Sequence, residues 1–447
     1  MDYRELAQDL LRQAAAQGAT GAEVLIVEDE SFSVQVRLRA VDTLRSAQEK
    51  RLGLRLCFGQ RAATTATSDF SAESLRRLLD DTAAMGRATA EDPCGGLPEA
   101  DALASELPDL DLWDAEAGSL PIPDRIRLAT VAEAAALDHD PRITNSDGAE
   151  YGHHDARILF ANSHGFAGSY CASSAALSVT PIASDASGMQ RDGWYSVHRR
   201  LRQLEAPEAV GRTAARRTLR RLGARKVSTQ QVPVVFDPDM AASLLRSLCG
   251  AASGSAIYRN ASFLTGKLGA RVASSLLTVV DDGRMPGHLG SRPFDGEGLP
   301  TRRTVIVQDG VLASYLLDTY TGRKLGLPST GNASRSLGQP PAVSPTNAYI
   351  APGPHPPEEI IRSVDRGLYL TEMIGFGVNL VTGDYSRGAV GLWIERGELA
   401  YPVEEITIAG NLRDMLQQIE MVGSDLEWRG STAAPTLKIA RMTIAGN

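Results

Sequence analysis

The chain has 447 residues, of which 43% are hydrophobic and 22% are charged, and this ordinary composition excludes a wholly disordered or fibrous protein. Its 46 basic and 54 acidic residues give a net charge of -8, which disfavours nucleic acid and anionic membranes as partners. Because a single hydrophobic core stops growing at about 250–300 residues, we expect two domains.

The N-terminus and the cysteines indicate the cellular compartment. The opening residues 1–5 lack a basic segment followed by an apolar run, and no stretch of the sequence approaches the ~18 consecutive apolar residues of a membrane span. The cysteines are scattered without Cys-x-x-Cys spacing, which disfavours a disulfide framework or a cysteine-rich zinc knuckle. They are Cys57, Cys94, Cys171 and Cys249. We therefore predict a cytoplasmic protein without a membrane partner.

The first part of the chain predicts a helix on an antiparallel sheet. Asp2 can cap a helix that Gly18 ends, and apolar residues recur at helical spacing between them. Alternating apolar residues then predict strands over residues 31–38, 52–58 and 62–66. Further elements are predicted to be a helix from Ser71 to about residue 85, a long loop over 92–123, a helix over 124–137, hairpin strands over 156–162 and 166–173, and a strand over 175–183.

A basic helix over residues 208–222, ended by Gly223, closes the first domain. The second domain is predicted to contain a strand over 232–236, a helix over 239–248, a hairpin of 304–307 with 312–317, a helix over 319–325 and a proline-rich connection over 338–357. The predicted fold class is therefore α+β. A mixed α/β domain with an antiparallel sheet spans residues 1–226, and a β-rich domain spans 227–447.

The second domain carries a series of short motifs. They are Arg292-Pro-Phe-Asp-Gly-Glu-Gly-Leu299, Thr301-Arg-Arg303, Gln308-Asp-Gly-Val-Leu312, Tyr320-Thr-Gly-Arg-Lys-Leu-Gly-Leu327, Ser329-Thr-Gly331, Thr382-Gly-Asp-Tyr-Ser-Arg-Gly388, Tyr401-Pro-Val403, Ile406-Thr-Ile-Ala-Gly-Asn411 and Pro435-Thr-Leu-Lys-Ile439. Together these motifs resemble the TldD/PmbA family, in particular its TldE (PmbA) branch. The resemblance implies dimers that enclose a substrate cavity, and it implies a peptidase.

The zinc motif of the TldD branch is missing from this sequence. In that branch His-Glu-x-x-x-His supplies two zinc ligands and a general base, and a distant cysteine supplies the third ligand. The corresponding stretches here are residues 245–251 and 385–388, and neither contains those ligands. Independently of the family, a helix can supply two ligands only about one turn apart, and none of the seven histidines lies four or five residues from another. We therefore predict no catalytic residue and no metal ligand in this chain.

Two clusters of acidic or histidine residues are candidate sites. The neighbours in His153-His154-Asp155 would point to opposite faces of a strand, so at most one histidine could join a metal site, and metal binding is disfavoured. Asp281-Asp282-Gly283 could be a paired acid, but an ordinary turn after an apolar run is favoured.

Two further positions are candidate nucleophiles. Cys249 lies on the apolar side of a predicted helix, where a structural role is favoured over a reactive thiol. The stretch 250–254 resembles a serine elbow, but its serine stands one place too late, and close packing of small residues is favoured.

Two other segments each allow two interpretations. The arginines of residues 212–221 could hold DNA, but the negative net charge favours a solvated helix face that pairs with acids. Residues 383–387 stand where the TldD branch has the cysteine that serves as its third zinc ligand. They therefore either line a cavity shared with a TldD-like partner or form a turn before a core strand.

The sequence thus predicts a non-catalytic, TldE-like subunit of a heterodimeric zinc peptidase that cleaves unfolded or extended peptides. Zinc is expected in the TldD-like partner and not in this chain. Substrate-cavity contacts are expected from Tyr320, Arg323, Tyr385 and Arg387. The peptide would add as a strand to a sheet edge. The alternative is a homodimer that binds peptides or regulates another protein without proteolysis.

Overall fold

The computed structural model describes residues 2–446, and its N-terminal part is built on a seven-stranded antiparallel sheet. The strands are β1 (Gly21–Arg37), β2 (Ala40–Phe58), β3 (Arg61–Thr67), β4 (Ile143–Asn162), β5 (Ala167–Asp185), β6 (Gly188–Arg191) and β7 (Trp194–His198). Their order is β3-β2-β1-β4-β5-β6, and β7 also pairs with β5. The strands β1, β2, β4 and β5 each exceed 16 residues, so the sheet is unusually long.

Helices cover this sheet in two groups with separate cores. They are α1 (Tyr3–Ala16), α2 (Ala72–Ala88), α3 (Ala115–Ser119), α4 (Ile122–Leu137) and α5 (Pro207–Leu219). The first two pack on β1 and β2, and α4 and α5 pack on β4 and β5. The predicted cap at Asp2 is confirmed, since its carboxylate accepts from the Arg4 N–H. Ser71, where the second helix was predicted to begin, is the N-cap of α2, and its hydroxyl accepts from the Ser74 N–H.

The prediction of separate strands over 166–173 and 175–183 was wrong, because β5 runs through both. Ser173 and Ser174 interrupt the apolar alternation without breaking the strand. The Ser173 side chain is buried, and its hydroxyl donates to the Arg199 carbonyl at 3.2 Å. A small polar residue with a satisfied hydrogen bond is therefore tolerated inside the strand.

The C-terminal part contains a closed barrel. Its strands are β8 (Gln230–Phe236), β15 (Arg366–Ile374), β16 (Asp384–Glu395), β17 (Glu398–Asn411), β18 (Ile419–Val422) and β20 (Leu437–Ala445). The order is β17-β16-β15-β8-β20-β18, and β17 also pairs with β20, which closes five strands into a ring. Closure leaves those five strands no free edge within the ring.

A second sheet and five helices complete this part. The sheet strands are β9 (Val279–Asp282), β10 (Arg303–Gln308), β11 (Val311–Leu312), β14 (Ala348–Ile350) and β19 (Thr432–Ala433), and a small pair is β12 (Ala333–Ser334) with β13 (Ala342–Val343). The helices are α6 (Pro238–Ala251), α7 (Gly254–Tyr258), α8 (Thr319–Leu325), α9 (Pro357–Arg362) and α10 (Leu412–Gln417). Helix α6 contacts β8 and β15 of the barrel and β14 and β19 of the second sheet, so it lies in the core between them.

The predicted α+β class is confirmed. Of the local predictions in the C-terminal part, one helix is confirmed and one strand is wrong over most of its length. The helix over 319–325 is α8, with a capping box of Asp318 and Thr321 and a left-handed Gly326 at φ 66°. The predicted strand over 312–317 was wrong beyond Leu312. There the chain leaves the hairpin, and the Leu316 N–H donates to the carbonyl of Ala252 after α6.

The chain passes from the first sheet to the barrel between α5 and β8, and the predicted domain boundary at residue 226 lies in this segment. That boundary stays a prediction. No helix within residues 2–446 combines the length and the apolar character needed to cross a membrane.

Candidate functional site

The outer face of α6 carries a polar stripe. The Asp237 carboxylate caps the helix by accepting from the Met240 N–H at 2.9 Å, and apolar residues such as Leu245 are buried on the inner side. Ser243, Arg246 and Gly250 recur at spacings of three and four, and none of the three is buried. The helix therefore presents small and cationic groups on the face that is not packed into the core.

Strand β16 reaches the same face of α6. The Arg387 Nη1 donates to the Ser243 hydroxyl at 3.2 Å. The loop between β15 and β16 also lies here, since a Cβ added at Gly250 would be 3.3 Å from Leu380 Cδ1. The segments 245–251 and 385–388, which the sequence assigns to the missing zinc motif, therefore lie beside the place where α6 and β16 meet, and Arg387 reaches Ser243 two residues before the first segment.

Tyr385, two residues before Arg387, is enclosed in the core. Its ring is 2% exposed, and its hydroxyl donates to the sulfur of Met373. Burial raises the pKa of Tyr385 to about 12. The tyrosine supports the strand from inside, while Arg387 reaches the face of α6. As substrate contacts, both residues stay predictions.

The side chains at this convergence do not fit a catalytic zinc ion. Such a site needs about three nitrogen, sulfur or carboxylate ligands, whereas Ser243 offers a hydroxyl and Arg387 a guanidinium, which has hydrogen-bond donors and no acceptor. Cys249 on the same helix is buried on the inner side, and burial raises the pKa of its thiol. Within residues 2–446 no group of three His, Cys, Asp or Glu side chains could hold a metal.

A cleft of about 720 Å³ lies at the start of α6, between the two parts of the chain. Trp194 on its wall is contacted by the guanidinium carbon of Arg429 at 3.9 Å from the ring centroid and by that of Arg217 at 5.2 Å. Arg246 also lines the cleft. Beneath it Asp237 is buried, and this burial raises the pKa of its carboxyl to about 7.

Tyr320 and Arg323 lie elsewhere, on α8. The Tyr320 hydroxyl donates to the Asp92 carboxylate at 2.8 Å, and Arg323 donates to the carbonyls of Gly95 at 3.1 Å and Leu97 at 2.7 Å. Both side chains thus fasten the loop after α2 to the C-terminal part. As substrate contacts they stay predictions, and the structure does not bring them together with Tyr385 and Arg387.

Glu297 is a buried acid that the sequence reasoning did not single out. Its carboxylate accepts from the Thr319 N–H at 2.8 Å, and it borders a cleft of about 680 Å³ that Tyr258 and Tyr320 also line. Burial and the neighbouring Asp295 carboxylate raise its pKa to about 8. The sequence signal was the Asp-Gly-Glu-Gly run of residues 295–298, which was used only for the family resemblance.

The two candidate clusters of acidic and histidine residues make local structural contacts. His153 contacts Asp155 at 3.0 Å while His154 faces Asp29 at 3.2 Å, which confirms that the two histidines point apart. The turn predicted over Asp281-Asp282-Gly283 begins only at Gly283, because strand β9 continues to Asp282. Asp281 lies inside this strand and is buried. Its carboxylate accepts from the side chain of Asn332 at 2.7 Å and from the N–H of Thr346 at 2.7 Å.

The basic helix α5 is less solvated than predicted. Arg217 pairs with Asp192 at 3.3 Å and Arg221 with Glu372 at 2.5 Å, and the side chains of both arginines are mostly buried. The predicted pairing with acids is therefore confirmed for these two arginines. The solvated face is confirmed only for positions such as Arg212, which is exposed.

Comparison with known proteins assigns the fold. Family profiles match residues 22–86 (PmbA/TldA metallopeptidase domain 1), 116–222 (central domain) and 229–446 (C-terminal domain). The Metalloprotease PmbA of Escherichia coli O157:H7 is 38% identical over 435 residues, which is 97% of this chain and 94% of that protein.

Solved structures agree. A crystal structure from Bacteroides thetaiotaomicron has a TM-score of 0.92 at 28% identity and covers 100% of both chains. That of TldE from Thermococcus kodakarensis has a TM-score of 0.88 at 22% identity, covers 98% of this chain and 99% of that one, and shows likeness of fold.

The closed barrel and the long antiparallel sheet define an α+β protein. The chain belongs to the PmbA/TldD metallopeptidase family. The family was predicted from the sequence and is confirmed.

Proposed function

We propose that this chain is the non-catalytic, TldE-like subunit of a cytoplasmic zinc metallopeptidase. It pairs with a TldD-like chain and completes a cavity in which unfolded or extended peptides are cleaved. Zinc in the partner supplies a Lewis acid and an activated water for hydrolysis. This chain supplies walls and contacts that hold the peptide.

The observation that carries the proposal is the meeting of α6 with β16. Segments 245–251 and 385–388 are those expected to bring metal ligands together. The contact observed between α6 and β16 joins Arg387 of the second segment to the hydroxyl of Ser243, two residues before the first segment, at 3.2 Å. A fixed positive charge at this point repels a divalent cation. Membership of the PmbA/TldD metallopeptidase family supports a role in peptide hydrolysis. The side chains where α6 meets β16, a hydroxyl and a guanidinium, support a role in which this chain itself binds no metal.

Co-expression with a TldD-like chain tests the proposal. We expect a 1:1 complex by native mass spectrometry, cleavage of a flexible peptide, and loss of activity with a chelator. The matched control is a complex in which a zinc-ligating histidine of the partner is replaced, which should assemble without activity.

Two results would contradict the proposal. One is the recovery of the two chains as separate species. The other is stoichiometric zinc in this chain purified alone. Separate species together with peptide binding by this chain alone would instead support the peptide-binding homodimer.

A further inference from the structure

Three buried carboxyl groups lie beside the cleft of about 680 Å³ that Glu297 borders. They belong to Asp295, Glu297 and Asp318, and each of these residues is at most 2% exposed. Within residues 2–446 no lysine, arginine or histidine nitrogen lies within 4.0 Å of any of the three carboxylates. Since a buried carboxylate without a counter-ion is costly, this end of the cleft can accommodate a positive charge.

Glu297 has the fewest hydrogen bonds of the three. Asp295 accepts from backbone N–H groups at 2.9, 3.0 and 3.1 Å, and Asp318 accepts from the N–H and the hydroxyl of Thr321 at 2.7 and 2.6 Å. Glu297 accepts only from the Thr319 N–H, through Oε2 at 2.8 Å. Its Oε1 has no donor among residues 2–446 and is not enclosed by protein atoms. This oxygen therefore opens on the cleft that Glu297 lines.

The charges that act most strongly on Glu297 are negative. Burial raises the pKa of Glu297 to about 8, and the carboxylates of Asp295 and Asp318 contribute to this rise. A neighbourhood that disfavours the carboxylate in this way favours a bound cation. At neutral pH Glu297 therefore holds a proton that a cationic ligand would displace.

The two arginines that line the cleft are held by other groups. Arg55 donates to the carboxylate of Glu23 at 2.9 Å. Arg259 is exposed at the rim, and its Nε donates to the hydroxyl of Tyr258 at 2.7 Å. Neither guanidinium lies within 4.0 Å of the Glu297 carboxylate, so the counter-ion of Glu297 has to come from a ligand.

Two tyrosines form an aromatic wall of the cleft. The rings of Tyr258 and Tyr320 meet edge to face with their centroids 5.8 Å apart. The Lys324 ammonium lies 5.2 Å from the centroid of the Tyr320 ring and pairs with the Asp92 carboxylate at 2.9 Å. A carboxylate and a tyrosine ring thus already hold an ammonium group next to this cleft, and the cleft itself offers the same pair of groups.

We propose that the cleft binds a primary ammonium group, with Glu297 as its counter-ion and Tyr258 as its aromatic wall. The group is the N-terminus of a peptide or the side chain of a lysine. An organic cation is favoured over a metal ion, because within residues 2–446 no group of three His, Cys, Asp or Glu side chains could hold one. The site lies within this chain and does not depend on pairing with a TldD-like subunit.

Three pentapeptide amides of alanine and glycine, each labelled with fluorescein near its C-terminus, distinguish the two sources. One is acetylated at its N-terminus, one has a free N-terminus, and one is acetylated and carries lysine as its second residue. Fluorescence anisotropy with the chain alone gives the dissociation constants. At pH 8 we expect at least one ammonium peptide to bind ~10-fold more tightly than the plain acetylated peptide, the energy of about one charge-assisted hydrogen bond.

The lysine peptide also tests the proton that Glu297 must release. Lysine stays charged up to pH ~10, so its charge does not change over the range examined. Its binding should tighten from pH 6 to pH 8, as the Glu297 carboxyl ionises, and should become constant above pH 8. Glu297→Gln keeps the shape of the side chain and should abolish both the preference for ammonium and its pH dependence.

Two variants nearer the surface test the site without altering the buried acids. Arg259→Gln removes a like charge from the rim and should tighten binding of an ammonium peptide about two- to threefold. Tyr258→Leu removes the aromatic wall and should weaken it several-fold. The control Glu91→Gln removes an exposed carboxylate that pairs with Arg61 at 3.3 Å and does not line the cleft, so it should leave binding unchanged. Circular dichroism confirms that each variant is folded.

Equal binding of the three peptides, or a preference that survives Glu297→Gln, would overturn the site. Weaker binding after Arg259→Gln would show that the cleft takes an anion and would overturn it as well. Should Glu297→Gln fail to fold, the opposite effects expected of Arg259→Gln and Tyr258→Leu decide the question. None of these outcomes bears on the proposed function, which is tested by assembly and cleavage with a TldD-like chain.

Discussion

Asp237 is both the cap of α6 and a buried carboxyl group, and its burial disfavours the ionised form that is favoured as the pH rises. Its carboxylate caps α6 through the Met240 N–H, and it is buried at 3% exposure beneath the cleft of α6. Burial disfavours the charged form and raises the pKa of Asp237 to about 7 from 3.8. The folded protein therefore binds this proton more tightly than the unfolded chain does. The contribution of the protonated carboxyl is complete below pH ~4 and decreases as the pH rises towards 7.

Asp237→Asn should remove this pH dependence. Asparagine is also a good N-cap, so the acceptor for the Met240 N–H remains while the titration disappears. We expect the variant to gain about 1–2 kcal/mol over the wild type between pH 5 and pH 8. The limit is about 2.7 kcal/mol, because only two pH units separate pH 5 from the folded pKa of about 7. Urea unfolding at several pH values measures the difference.

Asp237→Ala serves as the control for the cap. It removes the acceptor and should lose about 1 kcal/mol relative to the asparagine variant at every pH. Wild type and Asp237→Asn with parallel stability profiles from pH 5 to pH 8 would show that this carboxyl is ionised throughout.

The connection between α6 and α7 depends on a glycine. A Cβ on Gly254 would lie 2.5 Å from the hydroxyl of Thr321 and 2.6 Å from Leu317 Cδ2, so α7 and α8 pack with no room for a methyl group. This contact confirms the prediction of close packing over residues 250–254. It also holds α8 in place beneath the loop that Arg323 fastens.

Gly254→Ala should therefore destabilise the protein by about 1–3 kcal/mol, the usual cost of overpacking. Gly430→Ala is the matched control, because no atom lies within 4 Å of the added Cβ and no unusual φ is required there. We expect Gly430→Ala to change the free energy of unfolding by less than about 0.5 kcal/mol. Equal effects of the two substitutions in urea unfolding would show that the packing around Gly254 relaxes.

Local signals explain which elements could be predicted. The helices α1, α2 and α8 begin at Asp2, Ser71 and Asp318, whose side chains cap the first turn, and this information lies within four residues. The long strand β5 was divided because Ser173 interrupts the alternation, and its hydrogen bond to Arg199 is made 26 residues away.

The candidate site was accessible to sequence reasoning only through the family resemblance. Arg387 and Ser243 are 144 residues apart along the chain, and no spacing rule brings them together. The motif order indicated both segments, but it did not show that Tyr385 is buried, or that Tyr320 and Arg323 are bonded to the N-terminal loop. Those facts depend on how the barrel closes and on how the two parts of the chain meet.

At the scale of the whole molecule, a buried ion network joins the two parts. The Glu23 carboxylate on β1 accepts from Arg55 on β2 at 2.9 Å and from Arg335 of the C-terminal part at 2.9 Å. Burial alone would raise the pKa of Glu23, but Arg335 and Arg55 outweigh it and hold this pKa below its usual value of 4.5. The stability from this ionised carboxylate is present above pH ~4.5 and is lost as the pH falls through the lowered pKa.

Glu23→Gln should weaken the interaction between the N-terminal and C-terminal parts, so that they no longer unfold together. It leaves two guanidiniums facing a neutral amide, and breaking a buried pair in this way costs about 3–5 kcal/mol. We expect a lower urea midpoint at pH 7, with the barrel and the long sheet unfolding in separate steps, and a smaller difference from wild type at pH 3, where the native carboxylate is protonated too. The control Glu73→Gln removes an exposed pair with Arg77 on α2 and should cost less than about 0.5 kcal/mol. A loss no greater than that of the control would mean that the apolar contacts between the two parts, such as Phe166 against Phe294 at 5.0 Å between ring centroids, hold them together without the ion network.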